Sequence, residues 1–204
     1  MIQDFDMELA KNDVIMMATV YLVQHILDSQ VNPSKPVLFN DPWAKSALAK
    51  ILGFALHGLF TNKITIYAKQ TLNNSNPGVN NAISDIVKYG TVFVVSEFVS
   101  AQLLGRTPDF GIKWQMESGL RIAAYCAFDL VELSLPNVGS MQSLYNTLLK
   151  IGAGELLAYS VINSTLTTKN ISKTLSLLVG YTIYELVGKK LLLKMNLPKS
   201  STSP

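Results

Sequence analysis

Long apolar blocks alternate along this chain with short separators rich in turn-forming residues. Each block is longer than an ordinary strand and has no proline in its interior, so each predicts a helix. The predicted helices cover residues 13–27, 43–67, 80–104, 114–135, 141–163 and 171–197. Separators such as SQVNPSKP and GRTPDFG contain the proline, glycine and asparagine residues that end helices. The pattern therefore predicts an all-α fold, a six-helix bundle in a single domain over residues 1–198, followed by a disordered tail over residues 199–204.

The blocks are long enough to cross a bilayer, which takes about 20 mostly apolar residues. Charged residues make up only 15% of the chain, against about 25% in an average soluble domain. Charges within the blocks, such as Lys50 and Glu97, nevertheless cost about 2.5–3.5 kcal/mol each near the middle of a span. Such helices are stable in a membrane only when they pack against one another. We therefore expect a transmembrane bundle whose first partner is the lipid bilayer.

The two tryptophans, Trp43 and Trp114, stand at the beginning of the second and fourth blocks. In a chain with six spans, these positions lie on the same side of the membrane, as interface anchors of an aromatic belt would. The N-terminal stretch MIQDFDMELAKND is acidic and lacks the basic region of a secretory signal. The sequence therefore predicts an integral membrane protein without a cleavable signal peptide.

The two halves of the chain show a faint similarity that suggests a duplication over residues 13–104 and 114–197. The stretch beginning at Ile83 aligns without gaps with the stretch beginning at Ile171, and Glu97 then matches Glu185. Repeats of three spans each insert with opposite orientation, as in many transporters. A 3+3 inverted repeat would make the two acids pseudo-symmetric.

Two interpretations of these acids stay open. In one, Glu97 and Glu185 form a proton- or cation-sensitive pair. In the other, they are neutral hydrogen-bonding groups that hold helices together, beside residues small enough for close helix contact. The small residues that we assign to helix contacts are Ser96, Ser100, Gly180 and Gly188.

The fourth block carries a polar stripe. Arg121, Tyr125, Asp129 and Glu132 follow steps of four, four and three and lie on one helical face, and Glu155 adds a charge to the fifth block. Because Arg121 and Asp129 are two turns apart, about 12 Å along the axis, each needs a partner on another helix or at the membrane interface. Lys50 and Lys150 are candidate cations. A solvated face on a soluble helix is the alternative.

Several function classes lack the signals that they need. There is no Walker loop, dinucleotide fingerprint, GxSxG or HExxH motif, which argues against an enzyme and against a cofactor. Cys126 is the single cysteine and the two histidines have no metal-ligand spacing, so we expect no metal site. The net charge of +3 is too small and dispersed for a nucleic-acid partner.

Frequent asparagine and lysine in the separators and the absence of catalytic motifs give the chain an overall pattern that resembles multi-pass proteins in the coats of large membrane-containing DNA viruses. That resemblance implies a structural protein of a virion membrane or minor capsid component, which ties an internal membrane to a protein shell. Its partners would be neighbouring membrane or coat proteins, or further copies of itself in a homo-oligomer. The alternatives are a small channel or proton- or cation-coupled carrier, and a soluble all-α interaction module.

Overall fold

The computed structural model describes residues 6–31, 41–72, 76–163, 165–190 and 192, and these confirm the all-α prediction. Six helices follow one another along the chain. They are α1 (Met7–Val31), α2 (Asp41–Thr71), α3 (Pro77–Leu104), α4 (Ile112–Val131), α5 (Gln142–Ile162) and α6 (Thr168–Ile183). Short 3-10 turns at Glu132–Ser134 and Gly139–Met141 connect α4 to α5, and a π-helical turn at Tyr184–Gly188 extends α6. The C-terminal tail and the end of the sixth predicted helix lie outside the described residues.

The ends of α3 show why the chain begins and ends helices at these positions. The side chain of Asn76 accepts a hydrogen bond from the backbone N–H of Gly78 at 2.9 Å, and Pro77 occupies the first helical turn. At the other end, Gly105 adopts a positive φ of 65° and donates its N–H to carbonyl groups of the last turn. Asparagine, proline and glycine thus fix the bounds of this helix.

The helices form a closed ring. Each helix packs against the next one along the chain, and α6 packs back against α1. Glycines permit close approach: Gly53 on α2 lies against Val92 on α3, and Gly180 on α6 lies against the backbone of Val20 on α1. An amide of Gln24 also donates to a backbone carbonyl of α6 at 3.3 Å. Contacts between neighbouring helices follow opposite residue orders, as when Tyr21 meets Lys50 and Ala10 meets Gly58 between α1 and α2. Neighbouring helices are therefore antiparallel.

The antiparallel ring has two ends. One end, which we call the mouth end, is formed by the C-termini of α1, α3 and α5 and the N-termini of α2, α4 and α6. The interior holds a cluster of buried apolar side chains drawn from five helices. Its members are Met17, Val20, Phe54, Val92, Ile151 and Tyr181.

The outer surface of the ring is apolar between the helix ends. On α5, the exposed positions follow steps of four residues and carry Leu149, Ala153, Leu157 and Val161. The other helices expose large apolar side chains in the same way. They include Leu22, Ile26, Leu48, Leu52, Phe60, Ile86, Val94, Phe98, Met116, Leu130, Ile171, Leu175, Val179, Ile183 and Leu186.

Charged side chains have the opposite distribution, since several lie inside the ring. Asp129 is only 1% exposed, and Asp13 and His57 are buried between α1 and α2, with Asp13 Oδ2 and His57 Nδ1 4.0 Å apart. Beyond the first and last turns of the six helices, the charged residues that the structure describes as exposed are Lys11 and Lys50. The ring therefore buries several charged side chains beside its apolar core, while its outer surface is apolar between the helix ends.

Average hydropathy detects only part of this distribution. Within the described ranges, α1 is the one helix whose length and composition satisfy a test for a membrane span. A core helix of a soluble protein, or a signal sequence, passes the same test. Charged side chains that face the interior lower the mean hydropathy of a helix, whatever residues form its outer face. The mean hydropathy therefore describes the whole helix, whereas the exposed side chains describe only its outer face.

Candidate functional site

A cavity of about 380 Å³ occupies the middle of the ring, and we call it the central chamber. All six helices contribute to its wall. At about 30 Å³ per molecule, it would hold roughly a dozen waters. This volume falls at the lower end of the range found for small-molecule sites.

An ion pair crosses the wall of the chamber between α4 and α5. Arg121 Nε donates to Glu155 Oε1 at 2.6 Å, and Arg121 Nη2 donates to Glu155 Oε2 at 3.0 Å. A third donor, Nη1, reaches the backbone carbonyl of Glu117 at 2.7 Å. Bidentate geometry of this kind holds both side chains in one orientation and neutralises their charges. The pair is therefore a fixed, electrically balanced part of the wall.

Lys50 is a second cation of the chamber, on α2. Its ammonium lies 5.0 Å from the ring centre of Tyr21, which is a cation–π contact. This residue is exposed and lines the chamber. No carboxylate of a described residue lies within 4.0 Å of its Nζ.

Hydroxyl groups and aromatic rings make up much of the remaining wall. Five tyrosines line the chamber, and they are Tyr21, Tyr89, Tyr125, Tyr159 and Tyr181. The rings of Tyr89 and Tyr125 lie 4.5 Å apart. A tyrosine presents a broad apolar face together with one group that can donate or accept a hydrogen bond. The wall can therefore contact both the apolar and the polar parts of a ligand.

The chamber opens toward the mouth end. Glu97, Trp114 and Glu117 line both the chamber and a second, shallow pocket, which residues of the α3–α4 loop also line. Glu97 accepts two hydrogen bonds from Arg106, at 2.5 and 3.0 Å, and a third from the backbone N–H of Asp109 at 2.7 Å. The bond to Glu97 raises the pKa of the Arg106 guanidinium above its usual value.

A three-residue charge cluster ties α3, α4 and α5 together on the side of the chamber away from the mouth. Lys150 Nζ lies 2.7 Å from Asp85 Oδ2 and also pairs with Asp129. Because two carboxylates share one ammonium, the cluster is charge-unbalanced when all three groups are ionised. No group of three or more residues able to hold a metal ion occurs in the described part of the chain.

No family model, curated protein or solved structure matches this chain. The geometry of the described residues is therefore the basis for any functional argument.

The predicted acids lie in different places. Glu97 is at the mouth and Glu185 is in the π-helical turn near the opposite end, where it pairs with Lys189 at 2.6 Å. The two are therefore not brought together. Glu155 meets Arg121 in the chamber wall, whereas Asp129 belongs to the Lys150 cluster. Glu132 accepts a hydrogen bond from Asn146 at the far end of α4.

The predicted helix contacts and anchors can also be located. Ser96 and Ser100 line the chamber, and Gly180 is the close contact between α6 and α1. Gly188 has the ring of Tyr184 on its own helix as its nearest neighbour. The tryptophans both lie at the mouth end: Trp43 packs 4.6 Å from His25, and Trp114 packs 4.8 Å from Phe110.

Sequence reasoning did not single out Asp85 or, apart from Tyr125 in the polar stripe of the fourth block, the tyrosines. Tyrosine is common in apolar segments, and no spacing rule distinguishes a wall of hydroxyls from an ordinary core. For Asp85, a weak signal exists, since it lies two turns before Val92 and three residues before Lys88 on the inward side of α3. Only the packing of three helices shows that it meets Lys150.

Proposed function

We propose that this chain is an integral membrane protein whose six helices enclose a solute-binding chamber open to one side, in the manner of a small carrier. The observation that carries the proposal is the combination of an apolar exterior with a charged interior. In water, folding places charges outside because burying them costs free energy. In a bilayer, ionisable side chains face the bundle interior or a water-filled cavity instead.

The outward face of α5 illustrates the argument. Leu149, Ala153, Leu157 and Val161 are all exposed, while Lys150 and Glu155 point inward. Apolar patches on soluble monomers are normally limited to a few hundred Å². A surface that is apolar on every helix exceeds what single scattered residues would explain and is what lipid contact favours.

The chamber supports the carrier class over the scaffold class. A scaffold needs only a bundle whose interior is filled with side chains. This ring instead holds an open space, and acids and cations in its wall are accessible from one end. Its inner wall includes the buried residues Met17, Val92 and Ile151, so the space favours an alternating-access carrier over a continuous pore. A role tying a virion membrane to its coat, and association with coat proteins or further copies, stay predictions.

Two measurements test the proposal. Alkaline carbonate treatment of the membrane fraction should leave the protein in the pellet, with release by detergent alone. Cysteine labelling should then distinguish the chamber from the outer surface. In a Cys126→Ala background, we expect Ser100→Cys in the chamber to react with a membrane-impermeant thiol reagent.

The matched control is Leu157→Cys, on the outward face of α5. Thiols react as thiolates, which lipid disfavours, so this variant should stay unlabelled until detergent is added. Release by carbonate, together with labelling of Leu157→Cys as fast as that of Ser100→Cys, would show that the exterior faces water and would refute the proposal.

A further inference from the structure

Charged side chains of both signs line the central chamber. Among the described residues, the acids of the lining are Glu97, Glu117 and Glu155, and the cations are Lys50 and Arg121. The lining as a whole therefore has no surplus of positive charge. What it offers to a solute depends on which of these groups already have a partner in the protein.

Two of the acids are held by arginines. Arg121 forms the bidentate pair with Glu155 across the chamber wall. Arg106 of the α3–α4 loop donates two hydrogen bonds to Glu97, which also accepts a backbone N–H. Because each of these carboxylates already faces a guanidinium, neither needs a cation from the solute.

Lys50 and Glu117 are the charged groups of the lining that remain. The described contact of the Lys50 ammonium is the ring of Tyr21, which attracts a cation but carries no opposite charge. Glu117 is half-buried, and its backbone carbonyl accepts from Arg121. Its carboxylate forms no hydrogen bond or ion pair with another residue that the structure describes. The wall thus presents one uncompensated cation and one uncompensated anion.

These two groups lie at different depths and on different helices. At about 1.5 Å per residue, Glu117 lies roughly 8 Å and Lys50 roughly 14 Å from the beginnings of α4 and α2 at the mouth end. In the ring, α3 lies between those two helices. A solute that enters from the mouth therefore meets the carboxylate first and the ammonium below it.

We propose that the chamber binds a zwitterionic amino acid, whose carboxylate pairs with Lys50 and whose ammonium pairs with Glu117. This inference rests on the proposed function. A neutral solute would displace water from both groups and compensate neither, which is costly for charges in a confined space. A solute with a single charge would compensate one group and leave the other unpaired. The rings of Phe54 and Phe93 line the same space and can contact an apolar side chain of the solute.

Two isomeric amino acids serve as probes. In leucine both charged groups are attached to one carbon, whereas in ε-aminocaproate they lie at opposite ends of the chain. Each is compared with the compounds that lack its ammonium or its carboxylate. These are isocaproate and isoamylammonium for leucine, and caproate and pentylammonium for ε-aminocaproate. The readout is the rate at which the impermeant reagent labels Ser100→Cys, in the Cys126→Ala background, in the full chain reconstituted in vesicles.

At least one zwitterion should slow labelling at roughly a tenth of the concentration that its two single-charge relatives need, because it forms a second ion pair. Which isomer does so shows how far apart the two charges of the solute lie.

Two variants assign the charges of the solute to the wall. In Glu117→Gln, the zwitterion should lose its advantage over its anionic relative, since only Lys50 is left to pair. In Lys50→Gln, it should lose its advantage over its cationic relative. The matched controls are Lys45→Gln and Glu185→Gln, whose side chains form ion pairs one turn away, at 2.7 Å and 2.6 Å, outside the chamber lining. Both controls should keep the wild-type order of the probes.

The ligand assignment and the proposed function fail differently. A single-charge relative that is as effective as its zwitterion, or labelling that no probe slows, would overturn the ligand assignment and leave the chamber intact. An advantage of the zwitterion that persists in full in Lys50→Gln or Glu117→Gln would also overturn it. Absence of labelling in every condition would overturn the chamber, and the proposed function with it. The comparison of probes needs no change at Lys50 or Glu117, so it tests the charge preference even where those variants fold poorly.

Discussion

Because two carboxylates share the ammonium of Lys150, loss of the lysine and loss of one carboxylate should lower the stability by different amounts. Asp129 and Lys150 side chains are 1% and 17% exposed, and Asp85 is 14% exposed. Lys150→Met would leave two nearby buried carboxylates without a cation. Removing one partner of a buried ion pair typically costs about 3–5 kcal/mol, because the remaining charge is uncompensated.

Asp129→Asn should cost less, although Asp129 is the most deeply buried of the three. Its removal leaves Lys150 paired with Asp85 at 2.7 Å, so no charge loses its last partner. The expected loss is that of one contact with a charged group, about 1.5–3 kcal/mol. The free energy of unfolding of each purified variant can be measured by titration with a denaturant.

The double variant tests whether uncompensated carboxylates cause the loss of stability. In the Lys150→Met background, Asp129→Asn removes one of two uncompensated carboxylates, so it should restore part of the lost stability. Lys169→Met is the control for loss of a lysine, since Lys169 is exposed at the beginning of α6 and should change stability by less than about 0.5 kcal/mol. Equal losses for the two single variants, or an additional loss in the double variant, would refute the reasoning.

Two further predictions concern helix packing and the mouth. Gly180→Ala should destabilise the protein by about 1–3 kcal/mol, because its Cβ would lie 2.9 Å from the α1 backbone. The control is Gly119→Ala, where a Cβ meets nothing within 4 Å. This variant should be neutral or slightly stabilising in the same titration. Glu97→Gln should cost less than about 1 kcal/mol, because Arg106 is 40% exposed, whereas Glu155→Gln should cost about 3–5 kcal/mol by stranding a half-buried guanidinium. Equal effects within either pair would contradict the corresponding contact.

Helix positions could be predicted from the sequence because turn-forming residues separate the apolar blocks. The direction of each polar stripe could not. A stripe such as Arg121, Tyr125 and Asp129 has the same spacing whether it faces water around the bundle or a chamber inside it. Spacing also cannot pair residues across helices, so the contact between Lys150 and Asp85, 65 positions apart, depends on which helices become neighbours.

The placement of Glu97 shows a second limit. Its block continues to Leu104, so the acid lies within the apolar run. In the structure, the loop after Gly105 returns toward the helix, and Arg106 and Asp109 reach Glu97 from beyond the helix end. A carboxylate that looks isolated within one segment is thus bound by residues 9 and 12 positions later. Linear patterns do not contain the path of such a loop.

The seam between the first and last helices has a consequence for biosynthesis. No chain connection joins α1 directly to α6, and the contact between Val20 and Gly180 forms only after the sixth helix has been made. Until then the chamber that Lys50 and Arg121 line lacks the wall that α6 supplies. A product that stops before residue 168 would lack α6, and the wall that carries Lys50 and Arg121 would stay open on that side.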